Sequence, residues 1–241
     1  MSNLNQFEKY LEQFQITLND KQKEQFLKYY ELLVEWNGFM NLTAITEFDD
    51  VMKKHFADSL SIVKAFSKIR TEKLKVIDIG TGAGFPGIPL KIVFPQIELT
   101  LLDSLQKRLK FLQEVIDQLE LGEVELIHGR AEDFCKPSMK REQYDLCVSR
   151  AVANLATLSE LCLPYVKVGG KFIPYKSEKA EEEVREAQKA ITLLGGEVKE
   201  QIGFELPESN IGRTLVVIEK KNITPKKFPR KAGMPAKEPI Q

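Results

Sequence analysis

Residues 75–92 read KVIDIGTGAGFPGIPLKI, and two glycine patterns overlap in them. Gly80, Gly82 and Gly84 form G-x-G-x-G directly after VIDI, a short β-branched run ending near Asp78. Gly82, Gly84 and Gly87 form G-x-G-x-x-G, the spacing of a dinucleotide loop. The first pattern is the form a loop around S-adenosylmethionine often takes. Both readings need a strand before the loop and a helix after it, and the flanking sequence supplies each.

Outward from this loop the same alternation continues. LKVIDI, ELTLLD, EVELIH, YDLCVS and KFIPY read as strands, with helical patterns at about 86–94, 105–120, 154–165 and 178–194 between them. Strands separated by single helices predict parallel β-α-β units. GGEVKEQIGFEL and RTLVVIEKK follow without room for a helix between them, which predicts an antiparallel pair at the end. The fold expected is α/β, a doubly wound, mostly parallel, seven-stranded Rossmann-like sheet spanning 71–221. Residues 1–70 read as a helical extension. Asn19-Asp20 opens a run with Phe26, Tyr29, Tyr30, Leu33 and Trp36 on one face, and Asn37-Gly38 should end it. A second pattern covers about 49–66, with Val51, Phe56, Leu60 and Val63 in one stripe.

Ligands of such sheets lie over the carboxyl ends of the strands, where the strand order reverses, and the glycine loop is in that place. The following helix start should offer free N–H groups to an anion. Three features favour the methyl donor. Asp78 precedes the first glycine, where a carboxylate suits an amino group or sulfonium and repels a pyrophosphate. A dinucleotide series should begin at the strand end, at Gly80, and that register puts Phe85 where the third glycine belongs. The antiparallel strand pair is also unlike most dinucleotide domains. Asp103 closes the second strand and suits ribose hydroxyls of either cofactor. A nicotinamide-dependent oxidoreductase, and a glycine turn holding nothing, stay open on these grounds.

Two further strand ends carry candidates. In HGRAEDF (128–134) the Ala131-Glu132 backbone and the Glu132 carboxylate are placed to read an adenine. In CVSRAVANL (147–155) Ser149 and Arg150 should sit above the transferred group. No Asn/Asp-Pro-Pro-aromatic segment is present, and no cysteine falls where a nucleophile is needed. Cys135, Cys147 and Cys162, with only His55 and His128 beside them, have no zinc or disulfide spacing and read as core residues. No metal is expected.

The 35 basic and 35 acidic residues cancel, which argues against general polyanion binding. The distribution is uneven: residues 220–241 hold six Lys and one Arg against one Glu, with four prolines. This end reads as a basic, extended tail (222–241) rather than a packed element. The chain has no apolar run of the roughly 18 residues a membrane span needs. Its start lacks the pattern of a signal peptide, so a cytoplasmic protein is expected.

The motifs together resemble the bacterial glucose-inhibited division protein B family, the 16S ribosomal RNA guanine-N7 methyltransferases. The resemblance rests on EWNGFMNLTAI (35–45), HFADSL (55–60), VIDIGTGAGFPGIPLKI (76–92), HGRAEDF, VSRAVANL (148–155) and FPRKAGMPAKEPI (228–240). It implies a class I fold, S-adenosyl-L-methionine as cofactor and action on 16S rRNA or the small ribosomal subunit; nothing in the helical block demands a dimer, so a monomer is expected. A non-enzymatic rRNA-binding assembly factor is the alternative. By resemblance Gly80, Phe85, Ala131, Glu132 and Arg150 match cofactor-contacting positions, with Asp103 at the ribose; Asp78 and Gly82 join them from the loop. Arg150 is the catalytic candidate. Lys107, Arg108, Lys110, Arg130, Arg150, Lys226, Lys227, Arg230 and Lys231 are candidate RNA contacts. His55 reads as a hydrogen-bonded helix packing residue, with a catalytic role as the alternative.

Overall fold

The structure is a computed structural model that describes residues 4–136, 138–150, 153–178 and 180–240. Positions 151 and 152 of the VSRAVANL segment lie outside the described residues. In chain order the helices are α1 (Asn5–Glu12), α2 (Asp20–Met40), α3 (Phe48–Val51), α4 (Asp58–Leu60), α5 (Gly87–Val93), α6 (Gln106–Gln118), α7 (Ala131–Phe134), α8 (Leu155–Cys162), α9 (Ala180–Leu193) and α10 (Met234–Lys237). The strands are β1 (Lys75–Ile79), β2 (Glu98–Asp103), β3 (Val124–His128), β4 (Tyr144–Arg150), β5 (Val166–Ser177), β6 (Gly196–Glu205) and β7 (Gly212–Lys220).

These strands form one sheet in the order β3-β2-β1-β4-β5-β7-β6. β1 pairs in parallel with both β2 and β4, so the order reverses beside the glycine loop. β7 runs antiparallel between β5 and β6, as the missing helix requires. The two-residue period sends alternate side chains to opposite layers. Val76, Leu101, Val148 and Ile173 enter one apolar cluster, and Ile77, Cys147, Phe172 and Val216 the other. All three cysteines are buried and unpaired.

The first cluster also contains Phe7, Phe26, Tyr29 and Phe56, so residues of the N-terminal helices and the sheet share a core. A line of aromatic contacts runs through it to the glycine loop. Phe7 meets Phe26 at 5.0 Å between ring centroids, Phe26 meets Phe56 at 5.0 Å, Phe56 meets Tyr29 at 5.2 Å and Tyr29 meets Phe85 at 5.5 Å. Pairs at such spacings contribute about 0.5–1.5 kcal/mol each beyond their burial.

α2 starts as expected, with Asn19 and Gln22 exchanging side-chain and backbone bonds in a capping box. It does not stop at Asn37-Gly38. The helix continues to Met40 and is capped by Asn41 in the left-handed region. Gly38 has open space around it, while the Asn37 side chain accepts the Thr43 N–H at 2.9 Å and so organises the turn beyond the helix.

The C-terminal segment departs from the extended tail expected. Phe228, Thr224 and Pro235 are buried, and Lys220, fully buried at the end of β7, donates to Leu163 O, Val166 O and Thr224 Oγ1. Arg141 caps the carbonyls of Thr224 and Phe228. Arg230 donates to the Glu160 carboxylate through Nε at 3.0 Å and Nη2 at 2.6 Å. Charge and proline count describe the surface of this segment; a few buried anchors decide that it packs.

Candidate active site

The glycine loop is held mainly from behind. Asp78 is completely buried, and its Oδ2 accepts from Thr81 Oγ1 at 2.8 Å and Gly87 N at 2.9 Å. Gly80 and Thr81 donate to Leu102 O, Gly82 to Asp103 Oδ2, and Gly84 and Phe85 to Thr81 O. Tyr29 reaches across from α2 to donate to Ala83 O at 2.5 Å. The free N–H groups expected at the following helix start are therefore engaged internally, Gly87 N by Asp78 itself. That arrangement cannot cradle a pyrophosphate as a dinucleotide loop does.

In front of the loop is a cavity of about 550 Å³ at the carboxyl ends of β1, β2 and β3. Gly80, Gly82, Phe85, Asp103, Arg108, Arg130, Ala131, Glu132 and Arg150 all line it, joined by Leu42, Thr43 and His55 from the N-terminal helical layer and by Gly233, Pro235 and Ala236 from the C-terminal segment. Gly80 and Gly82 have φ of 70° and 62°, a backbone region that side chains rarely adopt. A Cβ on Gly82 would meet only Gly80 O, at 4.0 Å, so this backbone is open to a ligand.

Asp78 is a correction. It does not line the cavity; it clamps the loop, and its Oδ1 has no hydrogen-bond partner among the described residues. Burial raises its pKa to about 7, against the opposing pull of the Thr81 and Gly87 bonds. Ser149 is also behind the wall, fully buried and donating to Ile79 O at 2.7 Å, so it is not above the transferred group. Asp103 does face the cavity, with Oδ2 shared between Gly82 N and Arg108, and Oδ1 accepting from Leu105 N. Glu132 Oε1 is taken by Gly233 N at 2.8 Å, which leaves Oε2 for the cavity.

The remaining wall is a polar cluster that sequence reasoning only partly found. Arg150 Nη1 donates to Asp58 Oδ2 at 3.0 Å and to Lys54 O at 3.2 Å, and Nη2 meets His55 Nδ1 at 3.2 Å. Arg213 Nε approaches both Asp58 oxygens at 3.3 Å. The Arg150 guanidinium lies over the Phe85 ring at 5.1 Å, and His55 stacks on the same ring at 4.5 Å between centroids. Most of the Arg150 fork is thus occupied, which makes it a fixed part of the wall rather than a free clamp for phosphate. Burial and the Arg150 charge push His55 down to about 3, so its imidazole is neutral. His55 belongs to a π-helical turn, Met52–Ala57, an irregularity often found at functional sites.

Among the RNA candidates, Lys107, Arg130, Lys226, Lys227 and Lys231 are exposed. Arg108 and Arg230 are half-buried and already engaged: the first pairs with the buried Asp103 and the second with the buried Glu160. Asp58, Thr43 and Tyr29 were missed as site residues.

Among the described residues no helix is long and apolar enough to cross a membrane, and no His/Cys/Asp/Glu group is placed to hold a metal ion. The fold resembles that of M. jannaschii TYW2 in complex with AdoMet, with a TM-score of 0.53 and 16% identity over 68% of this chain and 76% of that one. Full-length relatives are far closer in sequence. The ribosomal RNA small subunit methyltransferase G of Alkaliphilus oremlandii is 56% identical over 226 residues, 94% of each chain. That of Bacillus cereus is 52% identical over 239 residues, 99% of each. The family model for rRNA small subunit methyltransferase G matches residues 22–211, a span holding the glycine loop, Asp103, Glu132 and the Asp58–Arg150–His55 cluster. With that span matched and identity above one half along nearly the whole chain, this protein belongs to the rRNA small subunit methyltransferase G family.

Proposed function

We propose that the protein transfers the methyl group of S-adenosyl-L-methionine to N7 of one guanine in 16S ribosomal RNA, as a cytoplasmic monomer. The observation that carries the reading is that, among the described residues, the polar cluster around Arg150 offers no free base. His55 is neutral with Nδ1 engaged by Arg150, and Asp58 is locked between two guanidinium groups. An exocyclic amine must lose a proton when methylated, whereas guanine N7 has a free lone pair and no proton. The absent base is then no defect, and holding the base in line is the main contribution, worth several kcal/mol.

The residues fit the cofactor. The open backbone at Gly82, beside Gly80 in the cavity wall, suits its amino-acid end, Asp103 Oδ1 keeps capacity for a ribose hydroxyl, and Ala131 with Glu132 Oε2 suits the adenine. A cavity of about 550 Å³ is within the usual range for such ligands. When bound, the cofactor supplies an electrophilic methyl group whose C–S bonding pair returns to sulfur as the C–N bond forms. Tyr29 and Asp78 hold the loop that carries it, and Phe85 with Arg150 and His55 closes the facing wall.

RNA would approach over the rim. Phe39 is 68% exposed at the end of α2, and Lys107 Nζ reaches the neighbouring Met40 carbonyl at 3.2 Å, so a ring and a cation share one edge. Exposed aromatic rings beside cations suit unstacked bases and phosphates. The test is methyl incorporation into small subunits from cells lacking the enzyme, followed by mapping of the modified atom. Incorporation at N7 of a single guanine is expected. Tight binding of NAD without methyl transfer would support the oxidoreductase, and rRNA binding without transfer the assembly factor.

A further inference from the structure

Proton bookkeeping around Thr43 leads to a specificity assignment that rests on the function proposed above. Arginine has only donors, so the 3.2 Å contact makes Arg150 Nη2–H the donor and His55 Nδ1 the acceptor. A neutral imidazole accepting at Nδ1 carries its proton on Nε2. That N–H must donate to Thr43 Oγ1, 2.8 Å away. Thr43 Oγ1 accepts a second bond, from Ile45 N at 3.1 Å. A hydroxyl has two acceptor lone pairs and one hydrogen, so both lone pairs are filled and only the hydrogen is left. Thr43 lines the cavity, and its backbone is fixed by the Asn37 side chain, so the site holds a donor that cannot act as an acceptor.

Guanine presents N7 and O6 side by side, both acceptors; adenine presents N7 beside an N6 amino donor. A lone donor in the wall suits the first and opposes the second. Thr43 and His55 come from the helical layer, whereas the groups suited to the nucleoside and amino acid of the cofactor sit on the loops after β1, β2 and β3. We propose that Thr43 selects guanine by donating its hydroxyl hydrogen to O6 while N7 faces the methyl donor, with His55 and Arg150 as positioning residues that set the direction of that hydrogen.

The experiment compares kcat/KM on small subunits reconstituted with guanine or with 2-aminopurine, which lacks the C6 oxygen, at the target position. Three full-length enzymes are used: unaltered, Thr43→Val and Thr43→Ser. The preference for guanine over 2-aminopurine should shrink about tenfold in Thr43→Val and be retained in Thr43→Ser. Valine also leaves the His55 and Ile45 N–H groups unpaired, but that damage slows both substrates alike and cancels in the ratio. An unchanged ratio in Thr43→Val, or a ratio lost in Thr43→Ser, overturns the assignment. If the unaltered enzyme leaves guanine N7 unmethylated, the proposed function itself has failed, a result distinct from either.

Discussion

Arg230→Ala separates a packing cation from an RNA-binding one. Glu160 is 1% exposed, and Arg230 supplies it with a backbone N–H at 2.8 Å, Nε at 3.0 and 3.1 Å and Nη2 at 2.6 Å. Alanine keeps only the backbone donor. Removing one partner of a buried ion pair costs about 3–5 kcal/mol. Arg230 is partly solvated and the segment can peel back to hydrate Glu160, so about 2–3 kcal/mol is the figure to expect. For a chain of this size each kcal/mol lowers Tm by roughly 2–4 °C, which gives a fall of about 4–12 °C by calorimetry. Gly233, Pro235 and Ala236 wall the cavity just beyond this anchor, so cofactor affinity should also weaken, about tenfold or more by titration. Adding Glu160→Gln to Arg230→Ala should recover part of the Tm, because it removes the stranded charge. The dependence of rRNA binding on salt should keep its slope. A slope reduced by about one, with Tm and cofactor affinity unchanged, would refute this reasoning and make Arg230 a phosphate contact.

Arg150→Ala strands Asp58 with Arg213 alone and frees His55 Nδ1; turnover should fall at least 100-fold, and Arg150→Lys should not restore it because one ammonium cannot bridge the same acceptors. Phe39→Ala should raise the KM for small subunits with kcat and cofactor affinity nearly unchanged, and Phe39→Tyr should behave as the unaltered enzyme; a loss confined to kcat would remove Phe39 from the RNA edge. Lys107→Ala should lower the salt slope of rRNA binding by about one, and an unaltered slope would show Lys107 to be a solvated surface residue. Stability against pH should expose two opposed groups. Asp78, with its folded pKa raised to about 7, holds a proton the unfolded chain releases, so its contribution falls as pH rises from about 4 to 7. His55, with its folded pKa lowered to about 3, does the reverse: stability is lost as pH falls from about 6.5 to 3. The slopes oppose each other between about pH 4 and 6.5, and Asp78→Asn should unmask a Tm that rises with pH there.

What the sequence revealed is what depends on local chemistry and short-range period. The Val-Ile-rich β1 run, the Asn19 cap and the antiparallel pair forced by a missing helix were all legible. Long-range partners were not. Arg230 and Glu160 are 70 positions apart, and Arg150 and Asp58 are 92 apart, so neither pairing has a local signal. Arg108 lies only five positions from Asp103 but across a strand end and a helix start, where no simple spacing rule applies. The Asn37-Gly38 stop failed because a single glycine weakens a helix by only about 1 kcal/mol, and the turn that follows, tied by Asn37 to Thr43, favours the longer helix. Composition misread residues 222–240 for a related reason: packing is decided by Thr224, Phe228 and Pro235, and a count of lysines does not register them.

The overlapping glycine patterns can now be separated by cause. A Cβ on Gly84 would come within 2.7 Å of both the Tyr29 hydroxyl and Ile88, and within 2.9 Å of Leu112. On Gly87 it would come within 2.4 Å of Leu101. Those two glycines are required by the approach of α2, α5 and α6 to the loop and to β2, whatever is bound in front. Gly80 and Gly82 are the ones whose backbone faces the cavity. The dinucleotide spacing therefore joins one ligand-facing glycine to two packing glycines, and no shared anion explains the three. The same division explains why Asp78 is buried. A carboxylate behind the loop can hold Gly87 N and Thr81 Oγ1 together only if Gly87 has no side chain, so the strand-end acid and the last glycine of the pattern are one structural device. Asp78→Asn should accordingly loosen the loop more than it alters any direct contact with a ligand, and Gly87→Ala, which drives a methyl group into Leu101 and against Asp78, should be the more damaging of the two.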